Sequence, residues 1–557
     1  MRFRNQVEHM TLIRVAVILI STIIGITHGQ DRPNILFLFA DDWGRYASIY
    51  GENTRGGIND VVQTPTFDRI AKEGVLFKNN HVSAPSCTPC RSALLTGQHF
   101  WRTGTGSILL GATYPADLPS FPTLLRDAGY HIGYTYKVWK PGSPSNSPFM
   151  PSEAYGKAGS KFNQFSQNTS KAMAAGATME EAKEELFDEV RTNFRAFLSD
   201  QGERQPFCYW FGPTNVHRKW TKGSGKALWG IDPDELKGKM PPFLPDVHEV
   251  RQDLADYFGE IKAWDEAIAL IIEELEASGQ LENTLIAISG DHGAPGFPYG
   301  KCNLYDFGTG VPLAIAGPGV NGSRVVDDLT SLTDIAPTFL DAAGLEIPEV
   351  MTGQSLWPIL ESEKSGLIDE NRTRVFTGRE RHVDNARADF KPYPQRCLRT
   401  RDFALIINFR PDRWPMGDPY RLGRGETTPS TEELEGNTRV TLPDEDAGPT
   451  KAWLVTARKQ DAWKDHFEWV YGQRPRLELY DLKKDPYEAT NVAGDPEYAD
   501  VLKKMEAELM AELEATGDPR LINDGEFYET PPMSAPAPRK PRRSRDKGKS
   551  KKNEARF

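Results

Sequence analysis

The sequence predicts an α/β protein whose sheet gathers a polar site at one edge, and three apolar runs carry that prediction. Asn34-Ile35-Leu36-Phe37-Leu38-Phe39-Ala40 shows no polar alternation, the pattern of a strand buried on both faces, and it ends at Asp41-Asp42-Trp43-Gly44. Thr284 to Ser289 is a second such run and leads into Gly290-Asp291-His292-Gly293; Phe207 to Phe211 is a third and leads towards His217. Open α/β sheets build their sites just outside the strand ends, so three polar clusters in those positions point to one shared site.

Between the strands, Pro65 to Glu73, Pro122 to Gly129 and Leu254 to Gly279 have helical periodicity, the last ending at a glycine stop. Leu332 to Gly344, with Asp334 and Pro337 near its start, reads as another helix. After Leu360 the texture changes. Val375 to Gly378, Ala404 to Phe409 and Leu477 to Asp481 read as short strands of a smaller sheet, followed by a helix from Glu497 to Thr516. The stretch Arg410 to Pro449, rich in Pro, Gly and acidic residues, is a long excursion, either a substrate-side loop or a surface insertion. The expected division is a secretory signal at 1–29, a catalytic domain at 30–365, a smaller C-terminal domain at 366–520 and a disordered basic tail at 521–557, with the Pro, Ser, Lys and Arg bias strongest beyond Pro531.

A chain of 557 residues is too long for one simple core, which agrees with two packed domains. A net charge of -11 argues against nucleic acid as a partner. The tail from Arg539 to Arg556 is nonetheless strongly basic and suits contact with anionic surfaces, or no partner at all. At the N-terminus, Arg2, Arg4 and Arg14 precede the apolar run Val15 to Thr27, which is shorter than the ~20 apolar residues that span a bilayer. A secreted or periplasmic, extracytoplasmic location follows, an uncleaved anchor being the alternative. Five cysteines do not make a disulfide scaffold.

Two of them, in Cys87-Thr88-Pro89-Cys90-Arg91, are the most informative residues of the chain. C-x-x-C also serves redox sites and zinc sites, but Cys208, Cys302 and Cys397 are scattered singly and supply no second ligand pair. With Ser92-Ala93-Leu94-Leu95-Thr96-Gly97-Gln98 following, the segment resembles the Cys-x-Pro-x-Arg signature of type I sulfatases, members of the alkaline-phosphatase-like superfamily. The similarity extends from Arg32 to Pro519, including Ser331 to Thr338 and Glu478-Leu479-Tyr480-Asp481-Leu482 with Asp485-Pro486.

The resemblance implies an alkaline-phosphatase-like α/β/α sandwich with a smaller C-terminal α+β domain. It implies that formylglycine-generating machinery oxidises Cys87 to formylglycine, whose hydrated aldehyde attacks sulfur. Pro89 suits the first turn of a helix, which puts this nucleophile at a helix N-terminus that favours an anion. Asp41, Asp42, Asp291 and His292, with residue 87 itself, match the family's metal site, generally calcium; many relatives carry Asn where His292 stands, which opens the site to another divalent ion. Arg91, Lys137, His217 and Lys301 match catalytic positions: Arg91 holds the diol, Lys137 contacts sulfate, and His217 or Lys301 protonates the leaving atom. The family motif Gly-Lys-x-His departs here, with Tyr136 for its glycine and Trp139 for the histidine credited with releasing sulfate. Turnover then uses water or another base, His99 and His131 being the candidates, or the chain is a slow member.

Pro298 to Tyr305 and Tyr393-Pro394-Gln395-Arg396 look similar to segments of the heparan N-sulfatase branch, in which Glu380, Arg381 and His382 fall among substrate-facing residues or in an ordinary charged loop. The implied substrate is a sulfated glycan or other small sulfated molecule. A phosphoester or phosphonate hydrolase of the same superfamily, and a non-catalytic glycan-binding homologue, are the alternatives.

Overall fold

The computed structural model describes residues 32–53, 56–142 and 148–538. Seven strands form the main sheet: β1 (Asn34–Ala40), β2 (Val75–His81), β3 (His131–Tyr136), β4 (Phe207–Gly212), β5 (Thr284–Gly290), β6 (Leu313–Ala316) and β7 (Arg324–Ser331). Their order is β3-β4-β1-β5-β6-β2-β7, with β6 antiparallel to both neighbours and the remaining pairs parallel. The register places the site. Ala40 lies opposite Gly290, so Asp41 and Asp291 leave two central strands side by side; Tyr136 lies opposite Gly212, which brings Lys137 to the same edge.

β1 shows why its run is apolar throughout. Leu36, Leu38 and Ala40 pack on one face in a core with Trp264 and Ile268 of the helix His248–Ala277, Phe67 of the helix Pro65–Glu73 and Phe194 of the helix Met179–Asp200. Ile35, Phe37 and Phe39 pack on the other with Leu94 of the helix Cys87–Thr96, Phe121 of the helix Phe121–Asp127 and Phe339 of the helix Ile335–Ala342. Helices therefore cover both faces of the sheet, as burial of both faces of a strand demands.

A second, antiparallel sheet has the order β11-β10-β9-β8, with β8 Val375–Arg379, β9 Gln395–Arg399, β10 Phe403–Asn408 and β11 Leu477–Asp481. Leu405 and Leu479 on one face meet Leu509 and Leu513 of the helix Ala499–Ala515; Ala404 and Ile406 on the other face join the core of the large sheet. The two sheets are thus joined by a continuous apolar interior.

The expectation of a disordered tail from 521 is corrected for residues 521–538. Tyr528 and Met533 are buried, and Glu529 bridges Arg413 and Arg520, so this stretch is fastened down by apolar burial and paired charge. The 410–449 excursion carries a short helix, Thr431–Gly436, and buries Leu434, Leu442 and Asp444. The strands β2, β3, β6, β7 and β9 and the helix Met179–Asp200 were not anticipated, although Thr178 and Glu181 form a legible capping box for that helix. The signal segment, 1–29, and the basic run from Arg539 lie outside the described residues.

Four acids of the helix His248–Ala277 face inward: Asp253, which pairs with Arg218 at 2.7 Å, and Asp256, Glu260 and Asp265. Burial pushes Asp256 and Glu260 up to about 7 and Asp265 up to about 6, even though Asp265 accepts the N–H groups of Thr66 and Phe67 at 2.9 and 2.8 Å. In the unfolded chain such groups titrate near ~4, so between roughly pH 4 and 7 the folded state holds more protons and stability falls as pH rises through that window. The urea midpoint is accordingly expected to be higher at pH 5.5 than at pH 8, and Glu260→Gln should flatten the difference; a midpoint that climbs towards pH 8 would contradict the assignment.

Candidate active site

Asp41 and Asp42 follow β1 directly, and Asp291 and His292 follow β5. Asp42 takes a left-handed backbone, φ 58°, which short polar side chains tolerate. It is held there from both sides: its N–H donates to Asp291 Oδ1 at 2.7 Å and its carbonyl accepts Tyr257 Oη–H at 2.8 Å. Gly290 and Gly293 flank the second acid because the chain passes too close for a side chain. A Cβ there would lie 2.1 Å from the Trp43 carbonyl oxygen and 1.9 Å from that of Phe307.

Cys87 opens a helix, Cys87–Thr96, that is buried along its whole length and closed by Gly97 in the left-handed region, φ 61°. Ser86 stands at the N-cap, but its hydroxyl pairs with Nδ1 of His382 at 2.8 Å and does not cap the helix. Cys87 Sγ lies 3.4 Å from His292 Nε2 and 3.8 Å from Asp42 Oδ1. Ligand atoms of Asp42, Cys87, Asp291 and His292 all fall within 4.8 Å of one another, and Asp41, Asp42 and His217 form a second such group. His292 Nδ1 is 3.2 Å from the carbonyl of Gly293, to which it donates, and its Nε2 lies 3.2 Å from Asp42 Oδ1.

Three cations oppose these three acids. Arg91 donates through Nε to Asp291 and through Nη2 to Asp41, both at 3.0 Å, and through Nη1 to the carbonyls of Lys137 and Val138. Lys137 Nζ lies 2.5 Å from Asp41 Oδ1, and Lys301 Nζ lies 3.0 Å from Asp42 Oδ2. Burial by itself raises both neighbouring carboxyls, but Lys137 and then Arg91 outweigh it for Asp41, and Lys301 and then His217 outweigh it for Asp42, so both are held below their ordinary range. For Asp291 burial prevails and its carboxyl is raised. Burial also pushes the Cys87 thiol up against the pull of Lys137 and Lys301, and Cys90 likewise. Redox dithiols need the reverse, a lowered thiol, and all five cysteines are free and buried.

The structure thus brings together Cys87, Arg91, Lys137, His217, Lys301, Asp41, Asp42, Asp291 and His292. Arg91 is fully enclosed, and all its hydrogen bonds are to carboxylates and carbonyls that shape the site. His217 is the open member, its side chain 32% exposed, with Nε2 3.7 Å from Asp42 Oδ2 and Nδ1 bonded to the Arg218 carbonyl. Trp139 is buried against Tyr114 and donates to Ser92 Oγ at 2.8 Å. Neither histidine offered in its place serves: His99 stacks on Trp101 and pairs with Glu512, and His131 sits at the opposite end of β3 from Lys137, stacked on Phe197.

Of the three expected substrate-facing residues, His382 meets Ser86, the residue before the helix Cys87–Thr96. Glu380 is buried between Arg396 and Arg520, and Arg381 donates to the carbonyls of Leu110 and Ala535. Sequence reasoning missed Asp446, whose Oδ2 lies 3.3 Å from Lys301 Nζ. Its only signal was Pro443-Asp444-Glu445-Asp446, an acidic run like any solvated one.

Comparison with known proteins places this geometry. The sulfatase family profile matches residues 33–345, and that of the C-terminal region of N-sulphoglucosamine sulphohydrolase matches 290–418. The chain belongs to the sulfatase family, whose members are sulfuric ester hydrolases. It is 27% identical over 531 residues to human N-sulphoglucosamine sulphohydrolase, covering 89% of this chain and 93% of that one. It is 25% identical over 531 residues to an ulvan-active sulfatase of Formosa agariphila, covering 89% and 77%. Among solved structures, BT4656 in complex with its substrate D-glucosamine-2-N,6-O-disulfate superposes with a TM-score of 0.56 at 20% identity, over 89% of this chain and 99% of the other. A phosphonate monoester hydrolase from Silicibacter pomeroyi gives the same TM-score, 0.56, at 20% identity, over 88% and 97%. These likenesses show the fold, an alkaline-phosphatase-like core with a smaller C-terminal domain.

Removing Arg91 leaves two buried carboxylates without their bridge. Arg91→Met is expected to lose about 3–5 kcal/mol in urea unfolding. Arg91→Lys should recover only part of that, because a single ammonium cannot reproduce a guanidinium that spans two acids and two carbonyls; full recovery by lysine would refute the bridging role.

Proposed function

We propose that this protein hydrolyses a sulfate ester or N-sulfate of a sulfated glycan, using a formylglycine made from Cys87 by formylglycine-generating machinery and a divalent metal. The observation that carries this reading is the meeting of Cys87, Asp42, Asp291 and His292 within 4.8 Å, ringed by Lys137 and Lys301. The names of two relatives, an ulvan-active sulfatase and N-sulphoglucosamine sulphohydrolase, support a glycan as substrate.

The donor set suits a metal. Asp41, Asp42 and Asp291 offer hard oxygens, as calcium prefers, and His292 adds a nitrogen that admits other divalent ions. Three carboxylates and three cations leave the cluster formally neutral, so a bound divalent ion would give it the net positive charge that draws in an anion. The formylglycine would supply a hydroxyl nucleophile at residue 87, which a buried, protonated thiol does not.

The chain's own groups do the rest. Lys137 and Lys301 each hold three donors, not all engaged by carboxylates, and these take sulfate oxygens. His217, with Nδ1 tied to the Arg218 carbonyl, turns Nε2 towards the cluster and gives the departing atom a proton; Lys301 is its partner in that task. Arg91 keeps Asp41 and Asp291 in place. We assign the catalytic part to 30–365 and the smaller part to 366–520. Export through 1–29 belongs to the same proposal, and among the described residues no helix is long and apolar enough to cross a membrane. The basic run from Arg539 would hold an anionic polysaccharide by an attraction that weakens with salt.

Mass spectrometry of the peptide Ser86–Arg102 from native-host protein is expected to find formylglycine at 87, and sulfate release from an aryl sulfate should fall roughly a thousand-fold or more in Cys87→Ala. An unmodified Cys87 in a host with working conversion would sink the nucleophile. Chelation should abolish release and remove one equivalent of divalent metal by elemental analysis, with calcium tested against manganese and zinc for recovery. Phosphate release that outruns sulfate release at matched substrate concentration would favour the phosphonate-hydrolase alternative.

A further inference from the structure

Asp446 is an acid in a place that a sulfate site does not need one. It comes from the 410–449 excursion, and the turn that carries it is firmly fixed. Asp444, two residues before, pairs with Arg379 at 2.7 Å and Arg387 at 2.9 Å and accepts the N–H of Val383 at 2.9 Å. Lys451 Nζ donates to the carbonyls of Thr438, Leu442 and Glu445 at 3.2, 3.1 and 2.7 Å. The Asp446 side chain itself is 18% exposed, and its Oδ2 is buried with no hydrogen-bond partner, although it lies 3.3 Å from Lys301 Nζ. Lys301 and His217, with His382 and Arg218, keep its carboxyl well below the ordinary range against the opposing effect of burial, so it is ionised at neutral pH.

Lys301 therefore stands between two acids: Asp42 in the metal-binding group and Asp446 beyond it. Asp446 lies 3.3 Å from Lys301 Nζ and near enough to His217 to feel its charge, and these are the two leaving-group donors of the proposal. A fixed negative charge there repels sulfate oxygens and rewards a neighbour that carries hydrogens or positive charge. The two kinds of leaving atom differ in that respect. An ester oxygen departs as a neutral hydroxyl once protonated. In an N-sulfate, R–NH–SO3⁻, the S–N bond breaks with its electron pair staying on nitrogen, sulfur gains its bond to the attacking oxygen, and nitrogen takes a proton from His217 or Lys301. The product amine then takes one more proton from water and leaves as an ammonium ion. Nitrogen carries N–H throughout and is cationic whenever protonation runs ahead of S–N cleavage.

We propose that Asp446 reads the leaving atom, accepting N–H from an N-sulfate and pairing with the ammonium product, and so biases this site towards amine over alcohol leaving groups. The inference rests on the sulfatase reading above and deepens it by naming the residue that selects the bond.

The test compares converted wild type with Asp446→Asn and Asp446→Glu on glucosamine N-sulfate and glucosamine 6-O-sulfate. The ratio of the two kcat/KM values, N over O, is expected to drop about ten-fold or more in Asp446→Asn, the size of a lost charge-assisted hydrogen bond, and to recover in part in Asp446→Glu. Equal loss on both substrates would reduce Asp446 to a support for Lys301 and overturn the proposal, as would an unchanged ratio. Calorimetric binding of glucosamine, a cation, provides an arm without turnover: affinity should fall about ten-fold in Asp446→Asn while inorganic sulfate binds no more weakly. Equal glucosamine affinity in wild type and variant overturns the proposal. A wild type that releases sulfate from neither substrate defeats the sulfatase reading instead, and the calorimetric arm then decides the role of Asp446 alone.

Discussion

Three carboxylates buried at adjoining strand ends are the constraint from which most of this structure follows. Asp41, Asp42 and Asp291 have almost no exposure, and isolated charges so placed would cost many kcal/mol if left unpaired. Arg91, Lys137 and Lys301 offset them from three different directions. Arg91 matters most because it reaches two acids and two carbonyls from one side chain, and because the helix bearing it also carries Cys87. The positions of residue 87 and of the acids are therefore set by the same helix. A shift of that helix would move residue 87 and break the charge cluster together.

Such a cluster is a poor device for stability and a good one for chemistry. A buried ion pair gains little over a well-packed apolar pair, while removal of one partner is severe. Its benefit lies in preorganisation: donors and acceptors stand ready in a dry site and need not reorganise when charge moves. The left-handed backbone at Asp42 serves the same end, held by the Asp291 carboxylate on one side and the Tyr257 hydroxyl on the other.

The smaller sheet completes the site from outside. β8 ends at Arg379, whose guanidinium pairs with Asp444, and His382 a few residues on meets Ser86 at the head of the nucleophile helix. Burial pushes His382 down to about 3 despite Asp444, so it is a neutral hydrogen-bonding group at physiological pH. Through Asp444 with Arg379 and Asp446 with Lys301, the excursion before Pro449 lies beside the charge cluster. Residues up to Lys301 supply the charge cluster; His382 and Asp446, from later in the chain, border it.

The α/β class and the central strands can be read from the chain alone, as can the short polar segments that meet at their ends. Those features are written locally: an unbroken apolar run marks β1 because both its faces are buried, and Asp41-Asp42, Cys87 to Arg91 and Asp291-His292 are short segments at strand or helix ends. Strands such as β3, with the mixed pattern HIGYTY, lacked that signature because they are less enclosed. Which of the many charged side chains face one another is settled by folding alone. It turned Glu380 and Arg381 into internal braces, gave Trp139 a partner in Ser92, fastened residues 521–538, and brought Asp446 beside Lys301, 145 positions earlier in the chain. The reason is physical: a backbone run declares its burial through its own residues, whereas the meaning of an exposed-looking charge depends on partners that lie far off in sequence and near only after folding.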